Sequence, residues 1–153
     1  MKALHRLSII SLLVALSVSC GDSNEPDIVT IADFAGTWTA SEFQITDPSG
    51  TVLPAPVDLI GDAFGSLLIT VLADGSFVGT FKPTLTTPSM SVAGDISLAG
   101  NTLTIDFTEG LDDPISGPYV LDGDELTVTG TNLTFSWEGD TITGASVILV
   151  MNR

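Results

Sequence analysis

Polar and apolar residues alternate one by one along much of this chain. The pattern runs through Thr102–Phe107, Glu125–Thr129 and Asn132–Trp137, where Leu, Ile, Val, Phe or Trp takes every second position. Successive side chains of a β-strand point to opposite faces, so this period of two places the apolar set on one face and the polar set on the other. No window carries a helical period longer than two turns. The chain is therefore predicted to be all-β.

Short turn signals separate these runs. Asp74-Gly75, Gly100-Asn101, Asp122-Gly123 and Gly139-Asp140 each lie between two strand-like segments, and Gly, Asn and Asp tolerate the positive φ that tight hairpins require. The pattern predicts about nine strands joined by hairpins. They are placed at Gly36–Thr46, Ser66–Ala73, Ser76–Phe81, Ser89–Leu98, Thr102–Thr108, Pro118–Leu121, Glu125–Thr129, Asn132–Glu138 and Ile142–Met151. We expect an antiparallel up-and-down meander of about eight to nine strands, closed as a barrel, with a two-sheet sandwich as the alternative.

Two stretches interrupt the regular spacing. Asp47–Gly65 is rich in Pro and Gly but also contains bulky apolar residues, and a connection of that length is often functional. A short helix is predicted over Asp58–Phe64, with Asp58 as its N-cap. The loop either plugs one end of the barrel or acts as a lid over a ligand. Lys82–Pro88 is a second irregular connection.

The start of the chain is a basic segment followed by an apolar one. Lys2, His5 and Arg6 form a basic segment, and Leu7–Ser19 is apolar or small throughout. A helix of about thirteen residues reaches only about 20 Å, whereas a membrane span needs about 20 residues. Residues 1–19 are therefore predicted to be an export signal.

The segment Leu16-Ser17-Val18-Ser19-Cys20 resembles the lipobox of bacterial lipoproteins. The resemblance implies that the signal is cut before Cys20 and that Cys20 carries a diacylglyceryl group. Residues 20–32 would then be a lipidated flexible tether, and residues 33–153 the barrel domain. Gly21 after the cysteine implies the outer membrane of the cell envelope, on its periplasmic or surface face. The alternative is an ordinary signal peptide with Cys20 left as a free thiol.

The part of the chain beyond the signal is strongly acidic. It holds all nineteen acidic residues against two basic ones, Lys82 and Arg153, which gives a formal charge of about −17. Such a domain repels nucleic acid and anionic lipid surfaces, so the predicted lipid anchor alone would hold it at a membrane. The charge serves solubility or attracts a cationic partner or divalent ions.

The Gly36-Thr37-Trp38 segment resembles the G-x-W signature that opens the barrels of lipocalins and related calycins. The segments Asp74–Phe77, Gly100–Ile105 and Asp122–Thr127 resemble the repeated hairpins of bacterial lipocalin-like lipoproteins. The resemblance implies a calycin-type barrel with Trp38 at its closed end. It also implies that Arg153, at the end of the last predicted strand, packs over the Trp38 ring.

The sequence lacks the residues that several kinds of catalytic and metal site require. His5 is the only histidine and Cys20 the only cysteine, which removes imidazole-dependent nucleophile systems and His- or Cys-ligated metal sites from the remainder. Asp112-Asp113 and the group Asp122, Asp124 and Glu125 offer oxygen ligands for Ca²⁺, although neither has the spacing of a known calcium loop. We expect no enzyme activity, no cofactor and no resident metal.

Two functions remain for the barrel. It binds one small apolar or amphipathic ligand, or it is a structural or protein-interaction module with a filled core. Phe107, Phe135 and Trp137 lie on apolar strand faces and either pack in the core or line a pocket. The ligand-binding residues and the oligomeric state are not specified by the sequence.

Overall fold

A computed structural model describes residues 28–111, 113–137 and 139–153, and it is an antiparallel β-barrel. A 3-10 turn over Ile31–Phe34 precedes the first strand. The strands are β1 (Gly36–Thr46), β2 (Val57–Asp58), β3 (Ser66–Val71), β4 (Ser76–Lys82), β5 (Met90–Ala99), β6 (Thr102–Glu109), β7 (Ile115–Asp122), β8 (Glu125–Trp137) and β9 (Asp140–Asn152). The predicted all-β class is confirmed.

The barrel closes because β1 pairs on both of its edges. Its first residues, Gly36–Thr39, pair with β3, and residues Thr39–Thr46 pair with β9. From β3 to β9 each strand pairs with the next, so eight strands form the wall and the short β2 adds to the β1 edge. The chain thus forms the predicted closed, up-and-down barrel and not the alternative two-sheet sandwich.

The predicted strands Glu125–Thr129 and Asn132–Glu138 form one bent strand. In β8 the register with β9 shifts on either side of Leu133, and Asn132 has a φ of +68°. Positive φ is tolerated by Asn, which lets the strand bend without ending. Glu138 itself lies outside the described residues.

The predicted helix over Asp58–Phe64 is wrong. Asp58 belongs to β2, and its Oδ1 accepts hydrogen bonds from the backbone N–H groups of Phe43 and Ile60, each at 3.0 Å. The Asp58 carboxylate, which was predicted to cap a helix, instead accepts a hydrogen bond from the backbone of β1. The segment continues as turns to Gly65.

The meander gives the barrel two distinct ends. The closed end holds the 3-10 turn, the start of β1 and the three tight turns after β3, β5 and β7. Glycines at positive φ lie in those turns and in the β8–β9 turn, at the four predicted turn signals, Gly75, Gly100, Gly123 and Gly139. The open end holds the longer connections after β1, β4 and β6, together with the β8–β9 turn.

The long β1–β3 connection is held by Asp47. Its Oδ1 accepts from the N–H and hydroxyl of Ser49, and its Oδ2 accepts from the N–H groups of Val52 and Leu53. These hydrogen bonds hold the pKa of the Asp47 carboxyl well below its ordinary value, and the bond from the Ser49 hydroxyl has the largest effect. Leu53 and Leu59 are buried in the core. The connection is therefore a packed part of the open end.

The predicted signal (residues 1–19), Cys20 and most of the predicted tether lie outside the described residues. Val29 and Ile31, within the range predicted as tether, pack against the barrel core. Among the described residues, no helix is long and apolar enough to span a bilayer.

Candidate functional site

The open end of the barrel contains a cavity of about 390 Å³. This volume lies within the range of roughly 300–1,000 Å³ that is typical of small-molecule sites. The cavity is lined by Phe43, Phe81, Pro83, Thr84, Thr86, Thr87, Met90, Gly110, Leu111, Asp113, Ile115, Leu133, Thr134, Phe135, Ser136, Trp137 and Val147. An apolar interior with a few polar groups at its edge is the usual composition of a ligand pocket.

The floor of the cavity is made by inward-facing residues near the open ends of the strands. Phe43, Phe81, Ile115, Leu133 and Val147 are all buried. The rings of Phe43 and Phe81 lie 5.6 Å apart between centroids. Below this layer lie further buried core side chains, among them Trp38, Ile69 and Leu126. The residues that line the cavity belong to the open half of the barrel.

One side of the wall beside the cavity lacks backbone pairing in the described residues. β6 pairs with β7 only over Thr102–Ile105, and the β7–β8 ladder ends at the Tyr119–Val128 pair. In the described residues, no strand is therefore paired between the last part of β6 and the last part of β8. The β6–β7 connection, which includes Leu111 and Asp113, bridges this interval.

Asp113 joins that connection to β8. Its Oδ2 accepts a hydrogen bond of 2.7 Å from the backbone N–H of Thr134. An N–H on an unpaired strand edge needs an acceptor, and the carboxylate supplies it where a neighbouring strand would otherwise do so. Asp113 is half-buried and is the only charged residue among the described residues that line the cavity.

Hydroxyl groups form another part of the rim. In the β4–β5 connection, the Oγ1 atoms of Thr84 and Thr87 lie 2.6 Å apart, and the Thr84 hydroxyl also accepts from the Thr87 N–H at 3.2 Å. These bonds order the irregular segment that begins at Lys82. The mouth therefore combines hydroxyls and one carboxylate with an apolar floor.

The aromatic residues weighed as core or pocket residues divide between the two roles. Phe135 and Trp137 are half-buried and line the cavity. Phe107 packs edge-on against Phe77, with 5.5 Å between ring centroids, and does not line it. The cavity roles of Asp113 and of Thr84, Thr86 and Thr87 in the β4–β5 connection were missed, because short polar loop residues give no signal of which end of the barrel they occupy.

At the closed end, the structure brings Trp38 and Arg153 together. The guanidinium carbon of Arg153 lies 4.8 Å from the centroid of the Trp38 ring, and the Trp38 Nε1–H donates to the Phe34 carbonyl at 2.7 Å. A wide surface depression of about 600 Å³ lies beside Arg153. It is more open than the cavity at the other end, and the Arg153 guanidinium is already engaged by protein groups, so the cavity at the open end is the better candidate site.

The acidic groups weighed for Ca²⁺ lie at opposite ends of the barrel. Asp113 is at the open end, and Asp112 lies outside the described residues. Asp122, Asp124 and Glu125 surround the β7–β8 turn at the closed end, where Asp124 pairs with Arg153 at 3.0 Å. Within the part of the chain that the structure describes, no three His, Cys, Asp or Glu side chains are grouped to hold a metal ion.

Comparison with protein-family models and with curated proteins found no match for this chain. The barrel is compatible with a lipocalin-like fold, and the case for a function depends on the residues of the cavity.

Proposed function

We propose that this chain is an exported, lipid-anchored envelope protein whose barrel binds one small apolar or amphipathic molecule in the cavity at the open end. The observation that carries the binding proposal is the cavity of about 390 Å³ with a buried apolar floor and a polar rim. The proposal is for binding without catalysis.

Two features support binding over a purely structural role. A module with a filled core has no use for an unfilled volume between strands, since dense packing stabilises the fold. In the described residues, the flank of the cavity between the end of β6 and the end of β8 is also formed by the β6–β7 connection and not by a backbone ladder. Both features lie at the same end of the barrel.

A matched pair of variants tests the site. Val147 lies on the cavity floor, whereas Val78 is exposed on the outer face of β4. Val147→Phe fills the cavity and should abolish the uptake of the neutral apolar fluorescent probe N-phenyl-1-naphthylamine. Val78→Phe adds the same volume outside and should leave uptake unchanged. Equal uptake by both variants, or none by the unaltered protein, would overturn the assignment of the cavity.

The anchor is tested separately. Cells that express the full chain are grown with labelled palmitate, and we expect label on the unaltered protein and none on Cys20→Ser. Label on neither protein would remove the lipid anchor from the proposal. It would leave the cavity as a site for a ligand of an unanchored domain.

A further inference from the structure

Resting on the proposed function, we infer that the ligand is an organic cation: an ammonium group attached to an apolar body, with the ammonium held at the rim beside Asp113. The inference concerns the charge of the ligand, which the fold class does not determine. It follows from the charges and aromatic groups that line the mouth.

The first argument is the sign of the charge at the cavity. Asp113 lines it, and neither of the two basic residues in the described chain does so. Arg153 is engaged at the opposite end, where its guanidinium contacts Asp124 and Trp38. Lys82 is at the open end, between Phe81 and Pro83, but does not itself line the cavity. An anionic head group would therefore lie beside a carboxylate with no basic residue among the described lining residues, which is unfavourable in a partly desolvated site.

The second argument is the capacity of the carboxylate. Asp113 accepts one hydrogen bond from Thr134 through Oδ2. A carboxylate has about four acceptor positions on its two oxygens. The Asp113 group can therefore hold the β8 edge and still present negatively charged oxygen to a cationic ligand.

The third argument is the aromatic surface next to that carboxylate. Phe135 and Trp137 lie on the same strand as Thr134 and line the same cavity, and both are half-buried. Aromatic faces attract ammonium groups, and tryptophan does so most strongly. A carboxylate combined with partly exposed aromatic rings suits a cation with apolar substituents better than a neutral alcohol or a carboxylate.

The charge of the whole domain acts in the same direction. With about seventeen negative charges in excess beyond Cys20, the domain attracts cations from solution and repels anions. This contribution is screened by salt, whereas a contact at Asp113 is screened less. The two contributions can therefore be separated by ionic strength.

Three amphiphiles with the same chain test the inference: decyltrimethylammonium, 1-decanol and decanoate, each below its micelle concentration. Binding is followed by calorimetry and by the fluorescence of Trp137, with Trp137→Phe used to subtract the Trp38 signal. We expect decyltrimethylammonium to bind roughly tenfold more tightly than decanoate at physiological salt. Asp113→Asn should remove most of that preference, because the amide oxygen can still accept from Thr134 but carries no charge. Asp122→Asn makes the same charge change at the closed end and should leave the preference intact.

The outcomes separate the two proposals. If decanoate binds as tightly as the cation, or if Asp113→Asn keeps the full preference, the cation inference is overturned and the binding cavity stands. If none of the three amphiphiles binds, the proposed function fails and the inference fails with it. Circular dichroism and the unfolding midpoint establish that each variant is folded. If Asp113→Asn does not fold, the comparison of the three ligands on the unaltered protein tests the cation inference by itself.

Discussion

The guanidinium of Arg153 covers the indole ring of Trp38, with 4.8 Å between the guanidinium carbon and the ring centroid. The same guanidinium donates to Asp124 Oδ1 at 3.0 Å and to the carbonyls of Asp33 and Gly123 at 2.8 and 3.1 Å. Trp38 is fully buried beneath it. One side chain thus ties the end of β9 to the 3-10 turn and to the β7–β8 turn, which seals this end of the barrel.

Replacing Arg153 should loosen the closed end. Arg153→Ala removes the contact with Trp38 and the hydrogen bonds to two turns, and we expect a loss of about 1–3 kcal/mol in the free energy of unfolding. Urea unfolding followed by Trp38 emission, in a Trp137→Phe background, measures it. Lys82→Ala is the matched control, since Lys82 is the other basic residue of the domain. An unchanged midpoint and emission maximum for Arg153→Ala would show that the pair does not hold this end together.

Gly36 should tolerate no side chain. Its φ is +145°, a conformation that residues with a Cβ rarely adopt, and an added Cβ would lie 3.4 Å from Cδ of Arg153. Gly36→Ala is expected to cost about 1–3 kcal/mol through backbone strain. The midpoint of thermal unfolding reports the loss, and the near-ultraviolet circular dichroism of Trp38 reports the disturbed packing. A variant as stable as the unaltered protein would mean that the strand relaxes at this point without cost.

Asp47 should make stability depend on acid pH. The hydrogen bonds from Ser49, Val52 and Leu53 lower the pKa of the folded carboxyl, so its contribution is fully present above the ordinary Asp pKa of about 3.9. That contribution is lost as the pH falls from there through the folded pKa. Asp47→Asn should therefore be less stable than the unaltered protein at pH 7, and the difference should shrink below about pH 4.

Urea midpoints of the Asp47→Asn and unaltered proteins at pH 7 and pH 3 measure this dependence. Asp122→Asn serves as the control, since Asp122 is exposed at the closed end. A stability difference for Asp47→Asn that is the same at both pH values would refute the role of the ionised carboxylate in holding the β1–β3 connection.

Phe64 is held in an unfavourable conformation for its type. Its φ is +53° and its side chain is 69% exposed, so it gains little from burial. Asn tolerates this region better than a bulky residue. Phe64→Asn should leave the protein equally stable or stabilise it by up to about 1 kcal/mol. A loss of stability in thermal unfolding would mean that the exposed ring contributes contacts which its exposure does not indicate.

The barrel could be predicted because its wall repeats one simple pattern. Alternation along β6 and β8 fixes which residues face inward, and glycine at turn positions such as Gly75 and Gly123 fixes where the chain reverses. Local signals were sufficient for the strands and turns. They left the closed barrel and the two-sheet sandwich open, and the long-range pairing of β1 with β9 decides between them.

The site was less accessible from the sequence, because it depends on where loops lie in space. Asp113 has no periodic neighbour that reveals its bond to Thr134, which is 21 residues away. Asp58 has the sequence signature of a helix cap, but a tertiary contact with the N–H of Phe43 makes it a strand residue. In both cases one long-range hydrogen bond decides the role of the carboxylate, and local propensity does not encode it.

Native mass spectrometry of the full chain, purified from its own cells, tests most directly whether the cavity is a binding site. We predict one additional small molecule per chain, released on denaturation and missing from Val147→Phe but retained by Val78→Phe. A clean mass without ligand, together with no uptake of any apolar or cationic probe, would contradict it and would leave a barrel whose cavity has no binding function.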